Sequence, residues 1–402
     1  MSSTNDGPAG SPRLLRAPVL SNDELRKTPV QTSVSTQPQL ENDTPVVVQD
    51  PPTMGWQSVW WKILHWMLPH APATKPGKKE LLLREEAAER LREEMAKELL
   101  LREEAAELAA WKIERRQFTE ERMRHLSDQL PSMTVAYVGV KGAAATTTTM
   151  VNGASIRAEV TRTTVYGADF NPASGTAGGR LGKNFNETIS LREFGNMIEE
   201  LGAESALTKE QVNARLRPTR YGVRVLIADD YTLQTTEQFG TRTKKMLDVL
   251  KENCDYLEID TANDITTPAS RAVLEKADVI VFTANVRDPD TLRLLYTSME
   301  KVRQLGLRDK VANSVVVISN LPKGDELENY MKYLDRTDLD HVVIQRITKA
   351  DFQGQFLGVP HDDVIAKAGR VDLEAYDWAT RQAYTDLVNA EFEQALKLKP
   401  AL

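Results

Sequence analysis

The loop at residues 141–149 carries residue types that bind phosphate in other proteins. Lys141 and Gly142 follow an apolar run, and four threonines then lead into a helical stretch. A strand–loop–helix of this kind offers backbone N–H groups and a helix N-terminus to an anion. The usual loop adds glycines for close backbone approach, a lysine for the β- and γ-phosphates and a Ser/Thr hydroxyl for Mg²⁺. Only Gly142 remains of the usual glycines, so the loop alone is a weak indication of a nucleotide site.

The loop resembles the deviant Walker A motif, KGGVGKTTTT, of MinD/ParA-type ATPases. In that register Lys141 matches the signature lysine that reaches the partner's nucleotide across a dimer, and Thr147 matches the Mg²⁺-binding hydroxyl. Ala143 and Ala145 replace glycines, and Thr146 replaces the lysine that grips the phosphates. The resemblance implies catalysis by Lys141 and nucleotide contacts from Gly142, Ala143, Ala144, Ala145, Thr146, Thr147 and Thr148.

Polar residues at three further strand ends also resemble the family. Asp169 opens a stretch, with Gly175–Gly182 behind it, that is similar to the switch I region. The resemblance places Asp169 near Mg²⁺ and the attacking water, as a catalytic and metal-binding residue. Asp260 precedes Thr261 as in the Walker B/switch II motif, which implies an Mg²⁺ contact through water. Asn320 matches an asparagine that contacts the adenine in relatives.

Each of these residues also has an ordinary structural explanation. Lys141 is equally consistent with a surface lysine, and Thr147 caps a helix whether or not nucleotide is present. Asp260 would serve as a cap for a turn, and Asp169 would belong to a turn with the Asn and Pro that follow it. Asn320 would be a loop residue.

The resemblance covers roughly residues 133–395. It is closest to the MinD-like proteins that actinobacteria encode beside type VII (ESX) secretion systems. The shared stretches are Arg217–Gly222, Ser270–Asp278, Gly369–Leu373 and Thr380–Tyr384. Each stretch is short, and their order along the chain gives the resemblance its weight.

Thr146 is the departure with the largest chemical consequence. The missing ammonium group normally neutralises charge on the transferred phosphoryl group, and losing one such group costs on the order of 10²–10³ in rate. A threonine supplies a hydroxyl without charge, so nucleotide binding should weaken too. We expect an ATP and Mg²⁺ site with weak or absent hydrolysis.

The elements that must position these residues are short apolar strands alternating with helical stretches. Near-continuous apolar runs indicate strands that are buried on both faces. The alternation predicts an α/β fold with a doubly wound, mainly parallel sheet, whose ligands bind at the carboxyl ends of the strands. The predicted strands are 133–140, 163–169, 223–229, 256–260, 279–284, 314–320 and 341–347.

Composition narrows the function classes. The chain has 402 residues, a net charge of −7 and 41% hydrophobic residues, which is typical of a globular protein. Cys254 is the single cysteine, so no internal disulfide and no cysteine-rich metal site can form. No apolar run is long enough to span a bilayer, and the N-terminal residues lack the basic-then-apolar pattern of a signal peptide, so we expect a cytoplasmic protein. The acidic balance disfavours DNA as a partner.

The N-terminal part of the chain has a different amino-acid composition. Residues 1–53 are rich in Ser, Thr, Pro and Asn and are predicted to be disordered. Residues 54–70 contain four of the six tryptophans. Two of them lie on one face of a predicted helix together with apolar residues, the face being Trp56, Val59, Trp60, Ile63, Leu64 and Met67. This amphipathic helix suits either the inner face of a membrane or a protein partner, and its sequence does not separate the two.

Residues 78–130 predict one long charged helix ahead of the α/β domain at 133–402. The segment KELLLREEAAE occurs at Lys79–Glu89 and again at Lys97–Glu107, and 18 residues make five helical turns. The repeat predicts an apolar stripe that needs a partner, such as a second copy in a coiled coil; a solvated single helix is the alternative. Its residues are Leu81, Ala88, Leu91, Met95, Leu99, Ala106, Ala110 and Ile113.

Three functions compete. The first is a dimerising, ATP-binding switch that positions or regulates a membrane-associated, secretion or transfer machine. The second is a pseudo-ATPase scaffold that binds proteins without nucleotide. The third is ParA-type DNA partitioning, which needs a concentrated basic surface that the sequence lacks.

Overall fold

This computed structural model describes residues 77–139, 145–171, 176–182, 188–201, 207–228, 236–261, 264–286, 290–323 and 352–399. The chain divides into two compact units, residues 1–105 and 106–402. The predicted disordered tail at 1–53 and the tryptophan-rich helix at 54–70 lie outside the described residues. Their structure therefore stays a prediction.

A helix of 52 residues, α1, runs from Lys78 to Gln129. In the first unit its leucine triplets at 81–83 and 99–101 are between 51% and 64% exposed. Three successive residues spread over about 200° of a helix surface, so the leucines are not confined to one stripe. The long charged helix predicted ahead of the α/β domain is confirmed.

A seven-stranded sheet forms the centre of the second unit. Every strand pair in it is parallel, and the spatial order is β3-β2-β4-β1-β5-β6-β7. The strands are β1 Met133–Gly139, β2 Val165–Asp169, β3 Arg224–Leu226, β4 Tyr256–Asp260, β5 Val279–Asn285, β6 Val315–Leu321 and β7 Gln355–Pro360.

Ten further described helices follow α1 and connect or cover the strands. They are α2 Thr146–Thr161, α3 Ala177–Arg180, α4 Leu191–Leu201, α5 Lys209–Arg215, α6 Glu237–Asn253, α7 Pro268–Lys276, α8 Thr291–Gln304, α9 Arg308–Ala312, α10 Asp363–Ala368 and α11 Trp378–Leu398.

Helices cover both faces of the sheet. Along β1, Val135 and Tyr137 pack into the core beneath α2 and α11, while Ala136 and Val138 pack into the core beneath α6, α7 and α8. All seven residues of β1 are buried, which explains why its sequence is a nearly continuous apolar run, interrupted only by Thr134. The predicted fold class, a doubly wound parallel α/β sheet, is confirmed.

The end of α1 belongs to the core of the second unit. Met123 and Leu130 are fully buried, and Tyr256 Oη lies 2.8 Å from both Ser127 Oγ and the Leu130 carbonyl oxygen. Further along the same helix, Trp111 stacks at a tilt on Trp378, with 5.2 Å between ring centroids. Residues 106–129 are thus an integral layer of the folded domain.

The seventh strand differs from the prediction. The predicted strand at 341–347 lies outside the described residues, whereas β7 at Gln355–Pro360 was not predicted. It is an edge strand, half-buried over most of its length, and it includes Gly358 and Pro360. Glycine and proline are poor strand signals, and proline is tolerated in sheets mainly at edges.

No helix in the described part of the chain is long and apolar enough to cross a bilayer.

Candidate functional site

Helix α2 begins at the carboxyl end of β1, in the centre of the sheet. Its N-cap, Ala145, has φ 64° and ψ 20°, a left-handed conformation that favours glycine. Ala145 therefore has a backbone conformation that suits the glycine found at the corresponding position of the motif it resembles. The N-cap side chain makes no capping hydrogen bond.

Two aspartates lie side by side next to this helix end. Asp169 ends β2 and Asp260 ends β4, and the two residues are directly in register in neighbouring parallel strands. Thr147 donates its hydroxyl hydrogen bond to Asp260 Oδ2. The structure thus brings together the three residues predicted to bind metal.

Asp169 is held by backbone amides. Its Oδ1 accepts from the Asn171 N–H at 3.0 Å, and its Oδ2 accepts from the Ala177 N–H at 3.1 Å. Burial raises the pKa of Asp169 to about 6, and these two amide hydrogen bonds oppose the rise. Asp169 therefore ties the start of α3 to the end of β2, which fits its structural explanation as well as its functional one.

Asp260 is fully buried and only half satisfied. Its Oδ1 has no hydrogen-bond partner among the described residues. Burial, and then the neighbouring carboxylate of Asp169, raise the pKa of Asp260 well above its ordinary value. A buried oxygen without a donor, beside a second carboxylate, is an arrangement that a cation would stabilise.

The donor set fits Mg²⁺ bound together with phosphate. The described residues contain no cluster of three or more His, Cys, Asp or Glu side chains able to hold a metal alone. Mg²⁺ commonly takes one or two carboxylates and leaves its other positions to waters and phosphates. Asp260 and Asp169 supply two carboxylates, and the Thr147 hydroxyl supplies a further protein oxygen.

Thr146 has a partner that the sequence did not reveal. Its buried hydroxyl lies 2.9 Å from Thr283 Oγ1, and Thr283 in turn donates to the Val138 carbonyl at 3.3 Å. The Thr146 hydroxyl is thus engaged in a contact with β5. The available signal was Thr283 itself, a polar residue within the apolar run of β5.

Arg180 is a second residue that the prediction left out. It is the last residue of α3, and its positive charge lowers the pKa of Asp260, against the larger effects of burial and Asp169. The sequence places it directly after the glycine pair Gly178–Gly179 in the stretch that resembles switch I. The positive charge of Arg180 thus favours the ionised form of Asp260.

Asn320 lies at the end of β6, two strands away from β1. It has φ 63° at a register shift between β6 and β7, and its Oδ1 lies 3.3 Å from His361 Nδ1. Asparagine tolerates this left-handed conformation better than most residues do. The structure therefore places Asn320 at an irregularity of β6, and the adenine contact stays a prediction.

Four predicted site residues lie outside the described residues: Lys141, Gly142, Ala143 and Ala144. Thr148 is partly buried in the first turn of α2, and its carbonyl accepts from Asn152 Nδ2 at 2.9 Å. The described half of the loop is consistent with a helix N-terminus facing the two aspartates.

No protein-family model and no curated protein sequence matches this chain. Solved structures do match. A complex of a McdA variant from Cyanothece with ATP is 14% identical, with 68% of this chain and 99% of that chain covered and a TM-score of 0.48. A ParA family ATPase from Chlorobium tepidum is 12% identical, with 67% and 99% covered and a TM-score of 0.45. The MinC:MinD cell division complex from Aquifex aeolicus is 13% identical, with 67% and 98% covered and a TM-score of 0.43.

Proposed function

We propose that this chain is a MinD/ParA-like switch that binds ATP with Mg²⁺ and hydrolyses it slowly or not at all. One observation supports this above the others. Thr147, Asp169 and Asp260 meet at the carboxyl ends of neighbouring strands, beside the N-terminus of a 16-residue helix that follows β1. Ligands of open parallel sheets bind at this edge.

The chain's own residues divide the work. The N–H groups at the start of α2 bind phosphate oxygens. Asp260 and Thr147 would hold the cation through oxygens that already lie together, which would cost little reorganisation on binding. Asp169 is fixed by two amide hydrogen bonds and would orient a water molecule. Bound Mg²⁺ supplies positive charge that stabilises the phosphate groups.

Turnover should be low because no lysine stands at position 146. The Thr146 hydroxyl already bonds to Thr283, so it contributes no charge and little donor capacity to a phosphate. We propose slow or absent hydrolysis, with a homodimer formed across the nucleotide through Lys141. The switch would then position or regulate a membrane-associated, secretion or transfer machine, contacting membrane or protein through residues 54–68.

Calorimetric titration of the full chain with ATP, with and without Mg²⁺, tests the nucleotide site. We expect Mg²⁺-dependent binding, which Asp260→Asn removes and the exposed control Asp248→Asn leaves unchanged. Thr146→Lys should tighten binding by roughly 10- to 100-fold, the value of one charge-assisted hydrogen bond. No binding at millimolar ATP would exclude the switch.

A scaffold without nucleotide is the second candidate, and Thr146 favours it. The Thr146 hydroxyl is buried against Thr283, and Ala145 occupies the left-handed N-cap position. Both features suit a loop that does not bind phosphate. A rise in mass that needs both Mg²⁺ and ATP, followed by light scattering in the same titration, would exclude this candidate.

A further inference from the structure

We propose that residues 78–105 of α1 pair with the same segment of a second copy in an antiparallel arrangement centred on Leu91. This pairing needs no nucleotide and is separate from the dimer proposed above. Its basis is the exposed apolar surface of the helix and the order of charges along it.

Apolar side chains form a continuous line along one side of the helix in this segment. Leu81, Ala88 and Met95 follow one another at seven-residue intervals, and Leu99 lies five full turns from Leu81 on the same side. Leu81 is 51% exposed, Met95 56% and Leu99 63%. In the described residues, Leu305 is the one exposed large hydrophobic side chain that lies outside α1. Such a concentration of apolar surface marks an interaction site.

The repeat decides how straight the pair would be. Its 18 residues make five turns, an average of 3.6 residues per turn. A seven-residue repeat winds two helices into a left-handed supercoil, whereas a repeat that matches the helix itself needs almost no supercoiling. Two straight helices packed side by side therefore keep Leu81 and Leu99 on the contact side over the whole segment.

The charges decide the direction. With the triplet at 81–83 opposite the triplet at 99–101, Lys78 lies level with Glu104 and Lys79 with Glu103. Beyond the triplets, Arg84 lies level with Glu98, and Glu85 lies level with Lys97. Unlike charges at the same level attract across two helices. By symmetry each of these pairs occurs twice.

A parallel arrangement reverses this pattern. In register, every charged residue lies level with its own copy, and a shift by one repeat sets Lys79 against Lys97 and Glu85 against Glu103. In both cases like charges lie at the same level wherever the two segments overlap. The antiparallel pair has like charges only near its centre, where Glu89 lies level with Glu93 and Arg90 with Arg92.

The pairing also extends an existing ion pair. Glu98 already accepts a hydrogen bond of 2.7 Å from Arg102 in its own helix. Arg84 of the second copy would join them, and a network of charges contributes more than an isolated exposed pair. The segment is thus complementary to itself in one direction.

A distance measurement on the full chain tests the direction. With Cys254→Ala as background, a nitroxide at Gly77→Cys sits at the start of the segment, outside the apolar line. The antiparallel pair places the two labels about 28 helical residues, or roughly 40 Å, apart. A mixture of Gly77- and Ala105-labelled chains should add a distance below about 20 Å. A short distance between Gly77 labels alone, or a chain that stays monomeric at 100 µM without nucleotide, would overturn the proposal.

Charge reversal supplies the matched variants. Arg84→Glu should weaken the dimer at least several-fold, and the double variant Arg84→Glu with Glu98→Arg should restore it. Arg90→Glu is the control, because Arg90 lies nine residues from both Leu81 and Leu99, on the opposite side of the helix. All of these effects should persist in Asp260→Asn, which separates this interface from the nucleotide site.

Discussion

The buried cluster around Arg157 needs one proton more than its ordinary ionisation states supply. It is fully buried, and its guanidinium contacts the carboxylates of Glu258 and Glu391. The Tyr137 hydroxyl lies 2.8 Å from Glu258 Oε2 and 2.7 Å from Glu391 Oε1. A phenol has one proton, so one of these two contacts needs a proton on a carboxyl group. The cluster is then neutral, which burial favours.

Glu391 holds that proton. Burial, and then the charge of Glu258, raise the pKa of Glu391 to about 8. A raised pKa in the folded state means that the stabilisation is fully present below the ordinary pKa near 4.5 and is lost as pH rises through about 8. Relative to Glu391→Gln, the wild-type chain should lose roughly 1 kcal/mol of unfolding free energy per pH unit between pH 6 and 8.

Urea unfolding at pH 6, 7 and 8 measures this difference. The variant Glu252→Gln, at an exposed position of α6, controls for the change in net charge. A difference between wild type and Glu391→Gln that does not change with pH would contradict a protonated Glu391.

Ala145 predicts a stabilising substitution. A side chain in the left-handed region costs about 1–2 kcal/mol, and glycine avoids that cost while adding some freedom to the unfolded chain. Ala145→Gly should therefore raise the unfolding free energy by about 1 kcal/mol. Ala383→Gly, inside α11, should lower it by a similar amount. If both variants lowered the unfolding free energy, φ at position 145 would not lie in the left-handed region.

The residues of the site were predictable to different degrees. Asp169 and Asp260 stand at the ends of apolar runs, and parallel strands bring such ends to one edge, so their meeting follows from sequence. The contact between Thr146 and Thr283 joins residues 137 positions apart and depends on strand order, which apolar periodicity does not encode. The protons shared around Arg157 depend in the same way on packing.

At the scale of elements, strands buried on both faces were easy to recognise and the edge strand was not. The strands β1, β4, β5 and β6 are mostly apolar because helices cover both sides of the sheet. β7 has one neighbour and a half-buried sequence, so its signal is weak. The length of α1 followed from its repeat, whereas the docking of its last turns onto β4 needed the structure.

Two N-terminal deletions test that docking. Removing residues 1–105 should leave the unfolding free energy of the second unit within about 0.5 kcal/mol, because the deleted part belongs to the other unit. Removing residues 1–130 takes away the buried Met123, Leu126 and Leu130, each worth about 2 kcal/mol. We expect a loss of at least about 4 kcal/mol in urea unfolding.

Tyr256→Phe keeps this test informative if the shorter chain does not fold. The substitution removes the hydroxyl that contacts Ser127 and the Leu130 carbonyl, and it should cost about 1 kcal/mol. The same substitution should have no further effect in the chain that lacks residues 1–130, where those partners are absent.

At the scale of the whole molecule, the two proposals together predict assembly beyond a dimer. One self-complementary interface lies in residues 78–105 and does not need nucleotide, and the other forms across the nucleotide site. Each is a two-fold interface, and a chain with two separate two-fold interfaces can join dimers to one another. Sedimentation should therefore show a dimer without nucleotide and a species of at least twice that mass with Mg²⁺ and ATP.

Two variants separate the interfaces in the same experiment. Asp260→Asn should remain a dimer with Mg²⁺ and ATP, and Arg84→Glu should also reach only a dimer with Mg²⁺ and ATP. Raising the salt concentration should weaken the helix pairing through screening of its exposed charges. A dimer mass unchanged by Mg²⁺ and ATP in the wild-type chain would show that the two interfaces do not act independently.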